Sequence, residues 1–174
     1  MNTLHRLYIL CGLPFAGKTT LAREIVQRFG YTCIEPDAMH HERGHGADGT
    51  AIPGHVWGET YAESYRWVDQ LLAQGQAVVY DAPNFTRAMR DELRCIAERH
   101  GVGVQVIYLD VPEHVVRTRW QANRLAPWRH DVPDEDFAIV TGHFQPPGDD
   151  EAAVHYNQHL PLDEWLHQTL GASA

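Results

Sequence analysis

A single lysine lies in a glycine-rich segment near the start of the chain, Gly12–Thr19. The spacing fits the pattern G-x-x-x-x-G-K-[ST], in which glycines let backbone N–H groups approach a phosphate closely. The lysine supplies a compact positive charge for the β- and γ-phosphates, and the threonine hydroxyl can bind Mg²⁺. The other basic residues counted with Lys18 are arginines, whose broad planar fork does not fit inside a ring of backbone amides. The segment therefore predicts a site for ATP and Mg²⁺.

Residues 12–19 are called the P-loop below. The residues predicted to bind the nucleotide are Gly12, Pro14, Phe15, Ala16, Gly17, Lys18, Thr19 and Thr20. The segment directly follows an apolar run and directly precedes a helical pattern with Leu21, Ile25 and Phe29 on one face. This is the context that the motif requires, and it disfavours the alternative of a simple glycine-rich turn.

Short apolar runs predict the strands that must position the P-loop. The runs cover residues 7–12, 31–37, 77–83 and 102–110, and residues 153–157 could supply a short last strand. Near-continuous apolar runs of this length are typical of strands covered on both faces, as in a parallel sheet. Helical patterns lie between the runs, so we predict an α/β fold in one domain, residues 1–174.

Polar residues stand where these strands end, which is where ligands gather in open α/β sheets. They are Glu35 and Asp37 after the second run, Asp81 and Asn84 after the third, and Asp110 after the fourth. Asp37 is a candidate general base for an acceptor hydroxyl, or alternatively the cap of a helix beginning near Ala38. Asp81 is a candidate to hold a metal-bound water, or alternatively a turn residue. Asp110 is expected to cap the following helix.

Arginines are concentrated in a segment that is free of carboxylates between Glu113 and Asp131. They are Arg117, Arg119, Arg124 and Arg129. Arginines without partners suit a lid, at about residues 117–135, that closes over phosphates and neutralises their charge. Arg124 and Arg129 are the expected catalytic pair because they lie near the helix end and in the turn around Pro127. The alternative is a solvated helix face.

A histidine-rich segment, residues 39–46, holds His40, His41 and His45 close together. A metal site is conceivable, but two glycines in the segment argue against a rigid pair of helical ligands. We therefore expect a mobile loop that faces the substrate. A further set of side chains has the spacing of one helical face and is expected to pack in the core, with its first turn able to reach an acceptor pocket: Trp57, Tyr61 and Tyr65.

Composition narrows the function classes. The formal net charge of −9 disfavours a nucleic-acid partner, since phosphate contacts normally require a basic surface. No apolar run approaches the ~20 residues that span a bilayer, and the first residues lack a secretion-signal pattern, so a cytoplasmic location without a membrane partner is expected. Cys11 and Cys33 lie in apolar, strand-like surroundings and are expected to be buried, reduced thiols.

Several of these motifs together resemble a known family. The stretches are GLPFAGKTTLA, EPDA, VVYDAPNFTRAMRDELR, RTRWQANR and RHDVPDEDFAIVTGHFQPP. They resemble the ATP-binding "predicted kinase" family of AAA-type P-loop phosphotransferases from about Leu7 to Pro147. That family is similar to the kinase domain of polynucleotide kinase and, more distantly, to zeta toxins and chloramphenicol phosphotransferase. Phe15-Ala16 and Pro36 depart from the family pattern and leave the acceptor preference open.

The resemblance implies a P-loop kinase fold, three-layer α/β/α with a parallel sheet of about five strands and an arginine-bearing lid. It implies that Asp37 activates the acceptor and that the DAPNFTR stretch approaches it, which gives the expected substrate-binding residues Asp37, Asp81, Asn84 and Arg87. The expected metal-binding residues are Thr19 and Asp81.

The leading hypothesis is an ATP-dependent phosphotransferase that moves the γ-phosphate of ATP to a hydroxyl of a small molecule. The expected catalytic residues are Lys18, Asp37, Arg124 and Arg129. One alternative is a 5′-hydroxyl polynucleotide kinase, and another is an ATP-binding regulatory switch with weak ATPase activity. The identity of the acceptor and the oligomeric state stay open at this point.

Overall fold

The computed structural model describes residues 5–45 and 52–171. The strands are β1 His5–Cys11, β2 Thr32–Ile34, β3 Val78–Tyr80, β4 Gly103–Tyr108 and β5 Val154–His155. The α-helices are α1 Lys18–Phe29, α2 Pro36–Glu42, α3 Gly54–Ala73, α4 Arg87–Arg99, α5 Glu113–Leu125, α6 Asp134–Gly142 and α7 Leu162–Thr169. A 3₁₀ turn, Asp149–Glu151, precedes β5. Within the described ranges, no helix combines the length and apolar content that crossing a bilayer requires.

The five strands form one parallel sheet in the order β2-β3-β1-β4-β5. The first strand is central: Tyr8 lies beside Val79 of β3 on one side and Gln105 of β4 on the other. The predicted parallel α/β sheet of five strands is confirmed. The second strand is shorter than its apolar run because α2 begins at Pro36, whose fixed φ favours the first turn of a helix.

Alternating side chains of β1 divide the core into two layers. Tyr8 and Leu10 belong to one buried cluster, and Leu7, Ile9 and Cys11 belong to the other. The first cluster includes side chains of α1, α5, α6 and α7, and the second includes side chains of α3 and α4. Helices therefore cover both faces of the sheet, and the predicted three-layer α/β/α arrangement is confirmed.

The structure excludes the alternative of a helix cap at Asp37 and corrects the expected cap at Asp110. The N-cap of α2 is Glu35, so Asp37 lies inside the first turn rather than at the cap. The N-cap of α5 is Pro112, and the Asp110 carboxylate instead lies 3.5 Å from a ring nitrogen of His155. In both places a proline next to the strand end starts the helix at a different residue from the one that propensity indicated.

The two cysteines that were expected to be buried differ. Cys11 is buried in the central strand, whereas Cys33 is exposed, which corrects that expectation. The difference follows from strand position: β2 is an edge strand in which Ile34 faces the core and the preceding side chain faces outward.

A buried ion pair ties two connecting segments to α4. Arg90 donates two hydrogen bonds to the carboxylate of Glu151, at 2.6 and 2.8 Å, and both side chains are almost completely buried. The same guanidinium donates to the backbone carbonyls of Asn84 and Gln145, each at 2.9 Å. Arg90 therefore fixes the loop after β3 against the segment that leads into β5.

We expect Glu151→Ala to lower the free energy of unfolding by about 3 kcal/mol, because it leaves the Arg90 guanidinium buried without its counter-charge. Urea unfolding followed by far-UV circular dichroism measures the change. The matched control is Asp150→Ala, the neighbouring carboxylate, which pairs with Arg87 on the surface and whose loss should change stability little. Equal effects of the two substitutions would contradict the structural role assigned to the buried pair.

Candidate active site

The P-loop connects β1 to α1 in a conformation that depends on two glycines. Gly12 has φ 151°, and a Cβ at this position would lie 3.0 Å from the carbonyl oxygen of Leu109. Gly17, the N-cap of α1, has φ 101°. Both values favour glycine, and the close approach at Gly12 leaves no room for a side chain. The loop thus places the N-terminus of α1, with its free N–H groups, at the carboxyl edge of the sheet.

Lys18 is buried under the P-loop and bonds to the loop itself. Its Nζ donates to the carbonyl oxygens of Gly12 at 3.0 Å and Leu13 at 2.8 Å. Burial lowers the pKa of the Lys18 ammonium to about 8, although the negative charge of Asp81 acts to raise it. Phosphate oxygens would replace two neutral acceptors with anionic ones, and such charge-assisted hydrogen bonds are the stronger kind. The side chain is therefore held in place for an anion.

Asp81 follows β3 and forms the second polar element of the site. Its N–H donates to the carbonyl of Ile34 at 2.9 Å, and the Thr19 side chain lies near its carboxylate. Burial raises the pKa of Asp81, while Lys18 and Thr19 oppose that shift. The Oδ2 atom is buried without a hydrogen-bond partner among the described residues.

The unpaired Oδ2 atom of Asp81 is relevant to whether Thr19 and Asp81 could bind Mg²⁺. A carboxylate oxygen next to a threonine hydroxyl at the phosphate-binding loop is the donor set that Mg²⁺ takes when it also binds phosphates and water. Thr19 and Asp81 therefore fit the ion that the P-loop implies. Elsewhere in the described ranges, no group of three or more His, Cys, Asp or Glu side chains is arranged to hold a metal ion by itself.

One cavity of about 690 Å³ joins the P-loop to a second, aromatic region. Its walls come from the P-loop, α2, α3, the loop after β3 and the segment 129–140. Lys18, Thr19 and Asp81 line it, and so does Asp37 from the first turn of α2. The structure thus brings together the P-loop, the candidate metal residues and the candidate base.

The aromatic region consists of side chains from α2 and α3. Trp57 and Tyr61 stack with ring centroids 5.6 Å apart, and the His40 ring packs edge-on against Trp57 at 4.0 Å. His40 is completely buried, and neither ring nitrogen has a hydrogen-bond partner among the described residues. Burial lowers the pKa of His40.

The histidines correct the expectation of a mobile loop. His40 and His41 lie on α2, and His45 follows in the adjoining turn. The His41 ring stacks on the ring of His130 from the segment after α5, with centroids 3.7 Å apart. Residues 46–51, which include the end of the histidine-rich segment, lie outside the described residues.

Glu35 stands at the end of the second strand and has a role that its sequence position alone does not reveal. It lines the cavity as the N-cap of α2. Burial, followed by the nearby charges of Asp81 and Asp37, raises the pKa of the Glu35 carboxyl to about 7. The signal in the sequence was its place at the end of a buried strand beside Asp37.

The segment after α5, which was predicted to form a lid, reaches the P-loop through Arg129. The guanidinium of Arg129 lies over the ring of Phe15, 4.8 Å from its centroid, and Trp128 packs edge-on against the same ring at 6.4 Å. Phe15 has a positive φ of 62°, which is uncommon for a bulky residue. The aromatic residue that departs from the family pattern thus contacts the lid arginine.

Sequence reasoning missed a hydrogen-bonded pair that grips the P-loop backbone. Arg119 donates to the carbonyl of Phe15 at 3.2 Å and to the side chain of Gln158 at 2.7 Å. Gln158 in turn donates to the carbonyl of Ala16 at 2.7 Å. No local pattern could reveal this, because Gln158 is 142 residues from Ala16 in the chain.

The remaining arginines are not free, contrary to the expectation from the sequence. Arg117 pairs with Glu113, and Arg124 pairs with Asp131 and Asp134. Glu113 lies one helical turn before Arg117, and Asp131 and Asp134 lie where the chain bends into α6. The residues between the arginines include no carboxylate, so these partners are not evident from that stretch of sequence. Arg124 also covers Trp120, at 4.2 Å from a ring centroid, and does not line the cavity.

Two expected substrate residues also lie outside the cavity. Arg87 is exposed and pairs with Asp91 and Asp150. Asn84 is completely buried, and its amide donates to the carbonyls of Leu10 and Ala82. Asn84 therefore fastens the loop after β3 to the central strand.

The fold and the site define a P-loop kinase-like α/β domain with a nucleotide-binding loop. A family model described as an AAA domain matches residues 7–147, and the chain belongs to that family. It is 26% identical over 148 residues to the protein KTI12 homolog of Arabidopsis thaliana, a match that covers 81% of this chain and 47% of that protein. The chain thus spans about half the length of this curated relative.

Solved structures share the fold at low sequence identity. Chaetomium thermophilum Kti12 in complex with ADP-AlF3 has a TM-score of 0.74 at 15% identity, covering 95% of this chain and 97% of that one. An unliganded sugar kinase from Janibacter sp. HTCC2649 has a TM-score of 0.71 at 19% identity, with coverage of 96% and 93%. The Mycobacterium tuberculosis APS kinase CysC in complex with AMPPNP and APS has a TM-score of 0.67 at 17% identity, covering 96% of each.

We expect Lys18→Ala to weaken ATP binding at least about 100-fold, because it removes the charge-assisted hydrogen bonds to the phosphates. Titration calorimetry and ATP-dependent thermal stabilisation both measure the loss. Arg28→Ala, at the far end of α1, removes a cation that pairs with Glu24 and Asp163 and should leave ATP binding unchanged. An undiminished thermal shift in the Lys18 variant would refute the P-loop assignment.

Glu35 should make the nucleotide-free protein less stable as pH rises from about 4.5 to about 7. In this window its folded pKa of about 7 exceeds the ordinary value of 4.5, so the folded state binds more protons than the unfolded state. Stability is then greatest below the window and falls as the carboxyl ionises. Urea midpoints across pH 4.5–7.5 for the wild type and Glu35→Gln measure this. The variant should show a flatter profile, and identical profiles would contradict the raised pKa.

Proposed function

We propose that this protein is an ATP-dependent phosphotransferase that moves the γ-phosphate of ATP to a hydroxyl of a small molecule. The observation that carries the proposal is that one cavity is lined by the P-loop, by an aromatic wall and by Asp37. A nucleotide on the P-loop directs its terminal phosphate into the cavity. An acceptor against the aromatic wall would then meet that phosphate beside a carboxylate.

Each polar group has a distinct task in this proposal. Lys18 and the amides of the P-loop neutralise and orient the phosphates, and Arg129 adds positive charge from the lid, about residues 117–135. Mg²⁺, held by Thr19 and Asp81, would neutralise phosphate charge. Asp37 accepts the proton of the acceptor hydroxyl as its oxygen bonds to the γ-phosphorus, and the bond from that phosphorus to the β–γ bridging oxygen breaks to release ADP.

The cavity also bears on the choice of acceptor class. Two cations among the described residues line it, Lys18 and Arg129, and both lie at the P-loop. A polynucleotide end would bring further phosphates into the aromatic region, where no lysine or arginine of the described ranges lines the wall. A small-molecule hydroxyl is therefore the better fit, in agreement with the net charge of −9.

We expect Asp37→Asn to lower kcat by about 10²–10⁴-fold, the range for loss of a general base, while ATP binding stays intact. A phosphorylation screen over chemically diverse hydroxyl compounds, read by ADP release and by mass of the product, finds the acceptor first. Asp110→Asn is the matched control, since its carboxylate is exposed and faces His155.

The same measurements separate the alternatives. If no acceptor in the screen gains a phosphate and Asp37→Asn leaves ATP hydrolysis unchanged, the protein acts as an ATP-binding switch and the proposed transfer fails. If an oligonucleotide with a 5′-hydroxyl is the best acceptor, the polynucleotide kinase alternative replaces the small-molecule one.

A further inference from the structure

Three carboxylates lie near one another in the cavity, beside its aromatic wall. Asp37 faces the cavity from α2, and Glu135 and Asp136 face it from the first turn of α6. In the described part of the chain, none of these three side chains takes part in an ion pair. This carboxylate cluster therefore has no directly paired counter-charge.

Asp37 and Asp136 are half-buried near Tyr61, whereas Glu135 is exposed. Burial, and then the charges of Glu135 and Asp37, raise the pKa of Asp136. Burial, followed by Asp37 and with a smaller effect of Asp136, likewise raises the pKa of Tyr61. Like charges held together away from water are unfavourable, and a cation placed among them removes that cost.

Acidic residues in the first turn of a helix are commonly explained by their favourable interaction with the helix dipole. In α6, Asp134 fits this explanation and also pairs with Arg124. His40 supplies an independent observation. Its ring is completely buried in the wall of the same cavity, and both nitrogens lack a hydrogen-bond partner in the described ranges. Since burial lowers the pKa of His40, the ring is neutral near pH 7 and offers a donor and an acceptor but no positive charge.

Aromatic faces complete the environment. Trp57 and Tyr61 line the cavity as a stacked pair, and Trp57 packs against the His40 ring. Aromatic faces attract a positively charged nitrogen, most strongly where water is partly excluded. Unpaired carboxylates, a neutral histidine and stacked aromatic rings are together the surroundings that suit an ammonium group.

We propose that the acceptor is a hydroxyl compound that carries a positively charged nitrogen, which Asp136 and Glu135 bind beside the aromatic rings of Trp57 and Tyr61. The inference rests on the proposed function and adds the chemical class of its acceptor. Asp37, the proposed base, then belongs to the same carboxylate cluster as the residues that bind the nitrogen. The carboxylates repel anionic acceptors, and neutral acceptors lack the charged nitrogen that the carboxylates bind.

Matched compounds that differ in charge test the proposal at pH 7 with ATP and Mg²⁺. One set is serinol, glycerol and glycerate, and the other is glucosamine, glucose and gluconate. In each set, we expect kcat/KM for the amine to exceed that for the neutral compound at least about 10-fold, because one charged contact contributes about that factor to affinity. The anion should have the lowest kcat/KM. Asp136→Asn should reduce the preference for the amine about 10-fold and leave ATP binding unchanged.

Asp163→Asn is the matched control, because Asp163 also lies in the first turn of a helix that follows a proline, but is exposed and pairs with Arg28. Thermal unfolding of each variant verifies folding. A best acceptor that is anionic, or an amine preference that Asp136→Asn leaves unchanged, overturns the inference.

Calorimetry with the AMPPNP complex separates this inference from the proposed function. If no compound is phosphorylated but the amines bind and Asp136→Asn weakens that binding about 10-fold, the amine site stands and the phosphotransferase proposal fails. If the amines neither bind nor react, the inference is refuted, whether or not other hydroxyl compounds are phosphorylated.

Discussion

The site depends on one constraint: β2, β3 and β1 are adjacent and parallel, so their carboxyl ends meet at one edge of the sheet. The end of β1 carries the P-loop, the end of β3 carries Asp81, and the end of β2 leads into Asp37. The backbone N–H of Asp81 extends the pairing to Ile34. The P-loop, Asp81 and Asp37 are far apart in the chain, but the pairing of the strands places all three at one cavity.

Buried hydrogen bonds from polar side chains hold the loops at this edge. Arg90 binds Glu151 and two backbone carbonyls, and Asn84 binds the backbone of β1 at Leu10 and of its own loop at Ala82. Arg119 and Gln158 hold the P-loop backbone from the opposite side. Hydrogen bonds of this kind link the shape of the site to the packing of remote segments.

Sequence patterns predicted the parts of the protein that depend on near neighbours in the chain. The P-loop requires a fixed spacing between Gly12, Gly17 and Lys18, and the strands require short apolar runs bounded by turns. The sheet, its parallel character and the three-layer arrangement follow from the alternation of strand and helix. Cys33 shows the limit of this reasoning, because an apolar run does not reveal which strand will lie at an edge.

The sequence by itself thus determined the nucleotide-binding loop, the α/β fold and the strand ends at which to look for polar groups. Tertiary structure decided which polar side chains face the cavity: Arg129 does, whereas Arg124 and Arg87 pair with carboxylates elsewhere. It also brought His40 and Asp136 to the same cavity. The physical reason is range: a backbone motif is encoded by adjacent residues, but the partner and the burial of a charge depend on segments that meet only when the chain is folded.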